Sequence, residues 1–254
     1  MRLPRGSAPG RQRLEEPDLE EPDLEEPDLV TDPSDPVRRL ASEGIRPRLP
    51  WASRLKELQR DPAPVLAILD QLIDDDSLLV RRSVAKNLND INKDHPDLVV
   101  STCTQWLKGA GDERRWVIKH ATRSLVKQGH PGVWPLLGFT ANPRVQVSGL
   151  SLGTEQLRLG GALEIGFQIR SLSKRQQRLV VDFAVHHVKA NGQLKPKVFK
   201  LKELTLEPEA AATVSKRHII KPISPRKYYP GMHRIEVLVN GTSCSIADFE
   251  LLTD

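Results

Sequence analysis

A helical solenoid followed by an antiparallel β-sandwich is predicted by three observations. Up to about residue 140 the apolar residues recur at helical spacing; beyond Asn142-Pro143 they alternate with period two; and a single short motif returns three times within the helical stretch. That motif is a double arginine opening an amphipathic helix: Arg38-Arg39, Arg81-Arg82 and Arg114-Arg115. The first arginines stand 43 and 33 residues apart, which brackets the period of HEAT-type helix pairs. Such a pair cannot bury its apolar face alone and is stabilised by stacking on its neighbours. Stacking aligns the arginines, and a row of guanidinium forks suits a polyanion, above all a phosphate backbone.

Residues 1–33 precede the solenoid. Leu14-Glu15-Glu16-Pro17-Asp18 recurs at Leu19 and at Leu24, a proline in every unit, so no helix can form. The segment carries 4 Lys/Arg against 10 Asp/Glu and too little apolar surface to offset chain entropy, which predicts disorder. Its role is open between an acidic tail that occupies a basic face and a low-complexity extension without a role. The remaining chain has 34 Lys/Arg against 23 Asp/Glu, a body whose basicity fits a nucleic-acid partner better than a neutral metabolite.

Residues 34–141 are predicted to form the HEAT-like repeats. Val65, Leu66, Leu69 and Leu72 mark one outer helix; Leu98, Val99, Cys103, Trp106 and Leu107 mark another, which Gly109 to Gly111 ends. Asn92 to Asp97 reads as a loop with a proline helix start, and His95 as a loop residue rather than a ligand. Residues 142–254 are predicted to form the sandwich. Leu163, Ile165, Phe167 and Ile169 alternate with polar residues, as do Ile235, Val237 and Val239, while Asn191-Gly192 and Asn240-Gly241 ask for tight hairpin turns. About seven strands in roughly 110 residues is the density of an immunoglobulin-like sandwich. Tyr228-Tyr229-Pro230-Gly231 resembles the corner that enters a late strand of that fold.

Two cysteines, Cys103 and Cys244, without a CxxC pair or a histidine cluster, argue against structural zinc and a disulfide framework, so no metal or cofactor is expected. No apolar run is long enough for a signal peptide core or a bilayer span, which predicts a soluble, cytoplasmic protein away from membranes.

The candidate chemistry lies on the first two inner helices. At 100° per residue Glu43 projects from the flank of the arc formed by Val37, Leu40, Ala41 and Gly44, and Asp90 from the same-handed flank of Val84, Leu88 and Ile91. Parallel stacking turns both carboxylates to one groove. Each also has a cation four residues earlier, Arg39 and Lys86, so two surface salt bridges are the alternative. Between them Arg46-Pro47-Arg48-Leu49-Pro50-Trp51 makes a rigid connection, and Trp51 is either a cation–π contact for a cationic ligand or a hydrophobic staple onto Leu55. In the sandwich, Lys195, Lys197, Lys200 and Lys202 form one basic run and Lys216, Arg217, Lys221, Arg226 and Lys227 another. Alternate lysines share a strand face, as a solubility device or a DNA contact.

Three segments carry a resemblance: Val37 to Trp51, Val80 to Ile91 with Lys93-Asp94-His95-Pro96, and Arg114 to Ala121. Together they resemble the AlkC branch of the AlkD-like DNA alkylation-repair glycosylases, from residue 34 to about 250, immunoglobulin-like tail included. The resemblance implies a monomer whose HEAT-like repeats embrace duplex DNA containing alkylated bases. The implied reaction is hydrolysis of the N-glycosidic bond of cationic N3-methylated bases, 3-methyladenine and 3-methylcytosine. A base already cationic needs little protonation to leave, so the protein stabilises an oxocarbenium-like sugar and places water, which carboxylates do. By resemblance Glu43 and Asp90 take that work and Trp51 contacts the deoxyribose or lesion. Arg38, Arg39, Arg46, Arg48, Arg81, Arg82, Arg114, Arg115, Lys200 and Lys202 bind DNA, chiefly its phosphates. Such enzymes carry further repeats ahead of the segment that starts here at Pro36, so the expectation is a solenoid without that arm, its first helix baring Val37 and Leu40. Two readings follow, a glycosylase of reduced activity or a DNA-binding remnant without catalysis. A HEAT scaffold for protein partners would leave the carboxylates, the Pro-Arg-Leu-Pro-Trp turn and the arginines without a purpose.

Overall fold

In the computed structural model residues 28–224 and 227–253 are described. The Leu-Glu-Glu-Pro-Asp tandem up to residue 27, most of the segment expected to be disordered, and Arg226 of the second basic run lie outside them. Residues 28–33, expected to share that disorder, instead form a turn closed by the Thr31 amide on the Asp28 carbonyl (3.2 Å), because Val30 reaches the helical core.

The helical region comprises α1 (Asp35–Glu43), α2 (Lys56–Arg60), α3 (Ala63–Leu72), α4 (Leu78–Ile91), α5 (Pro96–Trp106), α6 (Asp112–Ala121), α7 (Arg123–Gln128) and α8 (Val133–Leu136). Local chemistry sets the starts: Pro36 presets the first turn of α1, and the Ser77 hydroxyl accepts from the Leu79 amide to cap α4. Val80, Val84, Leu88 and Ile91 give α4 a fully buried stripe, each contributing about 1.5–3 kcal/mol by leaving water. Helix α4 packs between α1 and α6, with α3 behind α1 and α4 and α5 behind α4, so α1, α4 and α6 form the inner row of a helix-pair solenoid. Polar stitches fix that row: Ser42 to Ser83 (2.7 Å), Asn87 to the Ser42 carbonyl (2.7 Å) and Asn92 to the Ala121 carbonyl (3.0 Å). On α1 the buried residues are Ala41 and Ser42, while Leu40 stands 60% exposed.

Among the described residues the sandwich has eight strands, where about seven were expected: β1 (Val145–Ser151), β2 (Gln156–Arg158), β3 (Ala162–Ser171), β4 (Gln177–Val188), β5 (Leu194–Leu206), β6 (Ala211–Ile219), β7 (Gly231–Val239) and β8 (Thr242–Leu252). The three-residue β2 is too short to show alternation. Sheet order is β1-β3-β6 on one layer and β2-β8-β7-β4-β5 on the other, antiparallel except for β2 with β8. Both Asn-Gly pairs make their hairpins, and Asn240 (φ 44°) with Gly241 (φ 73°) has the two positive φ values of a type I′ turn. The Tyr228 hydroxyl donates to the Lys221 carbonyl at 2.8 Å, the bond that defines a tyrosine corner.

The helices and the sandwich join through a tight seam. Asn240 donates to the Thr140 carbonyl (2.6 Å) and accepts from the Val180 amide (2.7 Å), while the Thr140 amide reaches the Arg178 carbonyl (2.9 Å). Gly241 lies against Gly129 so closely that a Cβ on Gly241 would sit 2.2 Å from the Gly129 Cα. Val180, though on β4, is buried in the helical core.

Candidate active site

The inner helices each turn one stripe to a common face: Arg39 and Glu43 on α1; Arg82, Lys86 and Asp90 on α4; Trp116 and His120 on α6, with Arg123 beyond it. Glu43 and Asp90 meet there through a shared cation. Arg46 donates Nε and Nη2 to Asp90 Oδ2 (3.0 and 2.7 Å) and Nη1 to Glu43 Oε1 (3.3 Å). Arg39 Nε reaches Glu43 Oε2 at 2.7 Å, and Lys93 Nζ reaches Asp90 Oδ1 at 2.8 Å. The Arg39–Glu43 salt bridge weighed from the sequence therefore forms, whereas Asp90 takes Arg46 and Lys93 in place of Lys86, because the chain after α1 folds back over α4. Asp90 is buried, with its side chain 4% exposed, and Glu43 is partly open at 19%. A buried carboxylate is tolerated when cations and hydrogen bonds saturate it, and each of these four oxygens has a cationic donor.

Trp51, on the connection that follows Arg46, is fully exposed and has φ 65°, a left-handed backbone that costs a non-glycine residue about 1–2 kcal/mol. The staple onto Leu55 does not form. A large indole held in water in a strained conformation is a feature of binding loops rather than of packing.

The arginine motif divides in two. The first arginine of each pair converges on the acidic turn Asp74-Asp75-Asp76 between α3 and α4. Arg38 makes a two-pronged bond to Asp75 (2.7 and 3.0 Å), Arg81 caps the Asp75 and Asp76 carbonyls (2.6 and 2.9 Å), and Arg114 pairs with Asp74. The Arg114 guanidinium holds the Asp74 carboxyl below its ordinary range; Asp75, which burial would raise, is brought below its own by the Arg38 and Ser77 bonds. Arg46 is buried in the carboxylate bridge, and Arg48 pairs with Asp94 (2.6 and 3.0 Å). These five guanidiniums, expected on phosphates, are instead engaged by carboxylates and carbonyls of the helical region itself. Of the second arginines, Arg82 and Arg115 are exposed, and Arg115 Nε donates to the Ala110 carbonyl (3.2 Å).

The cations turned to open space include several that sequence reasoning missed. Arg82, Lys86, Trp116, His120 and Arg123 line one concavity, with Trp116 and His120 stacked at 3.8 Å; Lys119, Arg123 and Lys127 continue the track toward Arg178 and Lys200 of the sandwich. Their signal was the i, i+4, i+8 recurrence of Lys119, Arg123 and Lys127 along α6 and α7, masked by the more conspicuous double arginines.

The lysine run is also redistributed. Pairing of β4 with β5 shifts register between Val181 and Asp182, with Lys202 opposite Val181 and Lys200 opposite Asp182. Because Val181 and Asp182 face opposite sides, Lys200 and Lys202 do too; the bulge at Leu201 defeats the alternation that would have placed them together. Lys200 faces the helices and pairs with Glu203 (2.5 Å).

Residues 146–253 match the family described as "Uncharacterised protein YhaZ, C-terminal Ig-like domain". The chain is 40% identical over 215 residues to "Uncharacterized protein YhaZ" of Bacillus subtilis (strain 168), covering 85% of this chain and 59% of that protein. It is 42% identical to the Pseudomonas fluorescens alkylpurine DNA glycosylase AlkC solved bound to DNA containing an abasic site analog. That likeness has a TM-score of 0.82 and covers 88% of this chain and 62% of AlkC, so the chain spans about six-tenths of the length of both relatives. In sequence and in fold, the helical repeats with their immunoglobulin-like tail are similar to the AlkC branch of the DNA alkylation-repair glycosylases.

Proposed function

We propose that this chain is a monofunctional DNA glycosylase that binds alkylated duplex DNA as a monomer, on nucleoid DNA in the cytoplasm, and hydrolyses the N-glycosidic bond of cationic N3-methylated bases. The observation that carries this reading is the Glu43–Arg46–Asp90 bridge that brings the carboxylates of two adjacent inner helices together. Arg39 and Lys93 hold the outer carboxylate oxygens with side chains 42% and 43% exposed, within reach of a DNA backbone. Phosphates that draw these two cations away leave Asp90 and Glu43 negative while Arg46 keeps them in place. One carboxylate then faces the positive charge developing on the sugar and the other accepts a proton from the attacking water. Trp51 meets the deoxyribose or the cationic lesion, a contact of about 0.5–2 kcal/mol. Arg82, Lys86, Arg115, Lys119, Arg123 and Lys127 serve the phosphates. No lysine is asked to form a Schiff base, so the strand stays intact.

The saturation of all four carboxylate oxygens by cations favours one second reading, a DNA-binding protein without excision. Incubating the full chain with duplexes carrying 3-methyladenine or 3-methylcytosine separates the two. Release of free base with an uncleaved strand is expected, and binding without release would establish the second reading.

A further inference from the structure

The seam between the helices and the sandwich forms a half-open cavity of about 360 Å³ that the excision chemistry does not use. Its apolar wall is Val126, Trp134, Leu137 and Phe139 from the helical side and Val180 and Val198 from β4 and β5. Asp182 lies in it, only 6% exposed, and although the Leu201 amide bonds its carboxylate, Oδ1 is buried with no partner. An unpartnered buried carboxylate oxygen costs about 1–3 kcal/mol, a cost that an N–H donor in the cavity removes. Lys119, Arg123, Lys127, Arg178 and Lys200 also line it, against a single further acid, Glu203.

The cavity thus calls for a flat apolar body, an N–H donor at Asp182 and negative charge among the cations, at a volume near the lower end of small-molecule sites, about 300–1,000 Å³. The geometry points to a binding site for a purine nucleotide, the base against the apolar wall with an N–H donating to Asp182 Oδ1 and the phosphate on the lysines and arginines. Free mononucleotides and an unpaired purine in a DNA strand share this chemistry. The inference does not depend on base excision.

Calorimetric titration of the full chain tests it with adenosine 5′-monophosphate, guanosine 5′-monophosphate and ribose 5-phosphate. A second arm compares a duplex carrying one bulged purine with the fully paired duplex. At least one purine mononucleotide, or the bulged duplex over the paired one, should bind at least tenfold more tightly than its control. Asp182→Leu should erase that preference by tenfold or more, and Val198→Trp, which fills the cavity, should abolish it. Asp182→Leu keeps the side-chain size and removes a buried charge, so it folds and carries the test even if Val198→Trp does not. Preference in the first arm identifies a free nucleotide, and in the second alone a nucleotide of DNA. Equal binding of ribose 5-phosphate, no preference in either arm, or a preference that survives Asp182→Leu overturns the site.

Discussion

Replacing Arg46 by methionine removes the one side chain that touches both candidate carboxylates. Three charge-assisted bonds are lost, two to Asp90 Oδ2 (3.0 and 2.7 Å) and one to Glu43 Oε1 (3.3 Å). Glu43 keeps Arg39, and Asp90 keeps Lys93 on Oδ1, but Oδ2 is left buried and bare. Breaking a buried ion pair costs about 3–5 kcal/mol, and the surviving Lys93 bond places this case near the lower figure. At about 2–4 °C per kcal/mol for a chain of this size, the melting temperature should fall by about 6–12 °C. A thermal melt followed by circular dichroism reads the shift. Adding Asp90→Asn to Arg46→Met should recover part of the loss, a coupling of about 1–3 kcal/mol between the two sites. A melt within 1 °C of the parent, or additive single and double variants, would refute the bridge as the fixture of the site.

Three further outcomes follow. Neutralising Lys86 together with Arg123 should lower the salt dependence of duplex binding by about two units in a titration by fluorescence anisotropy, whereas Arg38→Gln, already spent on Asp75, should leave the slope near the parent's and lower stability instead. Gly241→Ala should loosen the seam: a methyl cannot sit 2.2 Å from the Gly129 Cα, and left-handed φ adds about 1 kcal/mol, so the helices and the sandwich must separate by roughly 1 Å and the melting temperature must drop. Burial pushes the Asp182 carboxyl up to about 6, against the pull of the Leu201 amide and Lys200 and with the push of Glu203; Arg178, Lys119, Arg123 and Lys127 share its cavity. The folded chain therefore binds this proton more tightly than the unfolded chain, and the stability it contributes, full below about pH 4, is lost as pH rises through about 6. Asp182→Asn should match the parent at pH 4 and exceed it by up to about 3 kcal/mol at pH 7 in urea melts, while an equal gap at both values would deny the shift.

The switch from period 3.6 to period two, the Asn-Gly turns and the Tyr228 corner made the order of helices and strands legible, since each is a local property of a few consecutive residues. The juxtaposition of Glu43 and Asp90 was legible too, because two inner helices of one repeat class present equivalent flanks. Their shared partner was not: Arg46 follows a helix end, and whether it points to solvent or reaches a carboxylate 44 residues further along the chain depends on the packing of α1 on α4. The arginine motif misled for a related reason. Its first members bond to Asp74-Asp75-Asp76, and a triple aspartate reads as solvated charge until the repeats are stacked. The bulge at Leu201 is a pairing property of two strands, invisible in β5 alone, and the left-handed Trp51 has no signature in a residue that is not glycine.

Participation of the Asp90 carboxylate in base release is what the proposed function requires above all. Single-turnover excision of 3-methyladenine from a duplex, measured for the full chain and for Asp90→Asn with duplex affinity measured alongside, addresses it directly. Release by the parent is expected, with a rate at least about 100-fold lower in Asp90→Asn, equivalent to about 2.7 kcal/mol of transition-state stabilisation, and affinity within about twofold. Equal rates in the two proteins, or no release by the parent, would contradict it.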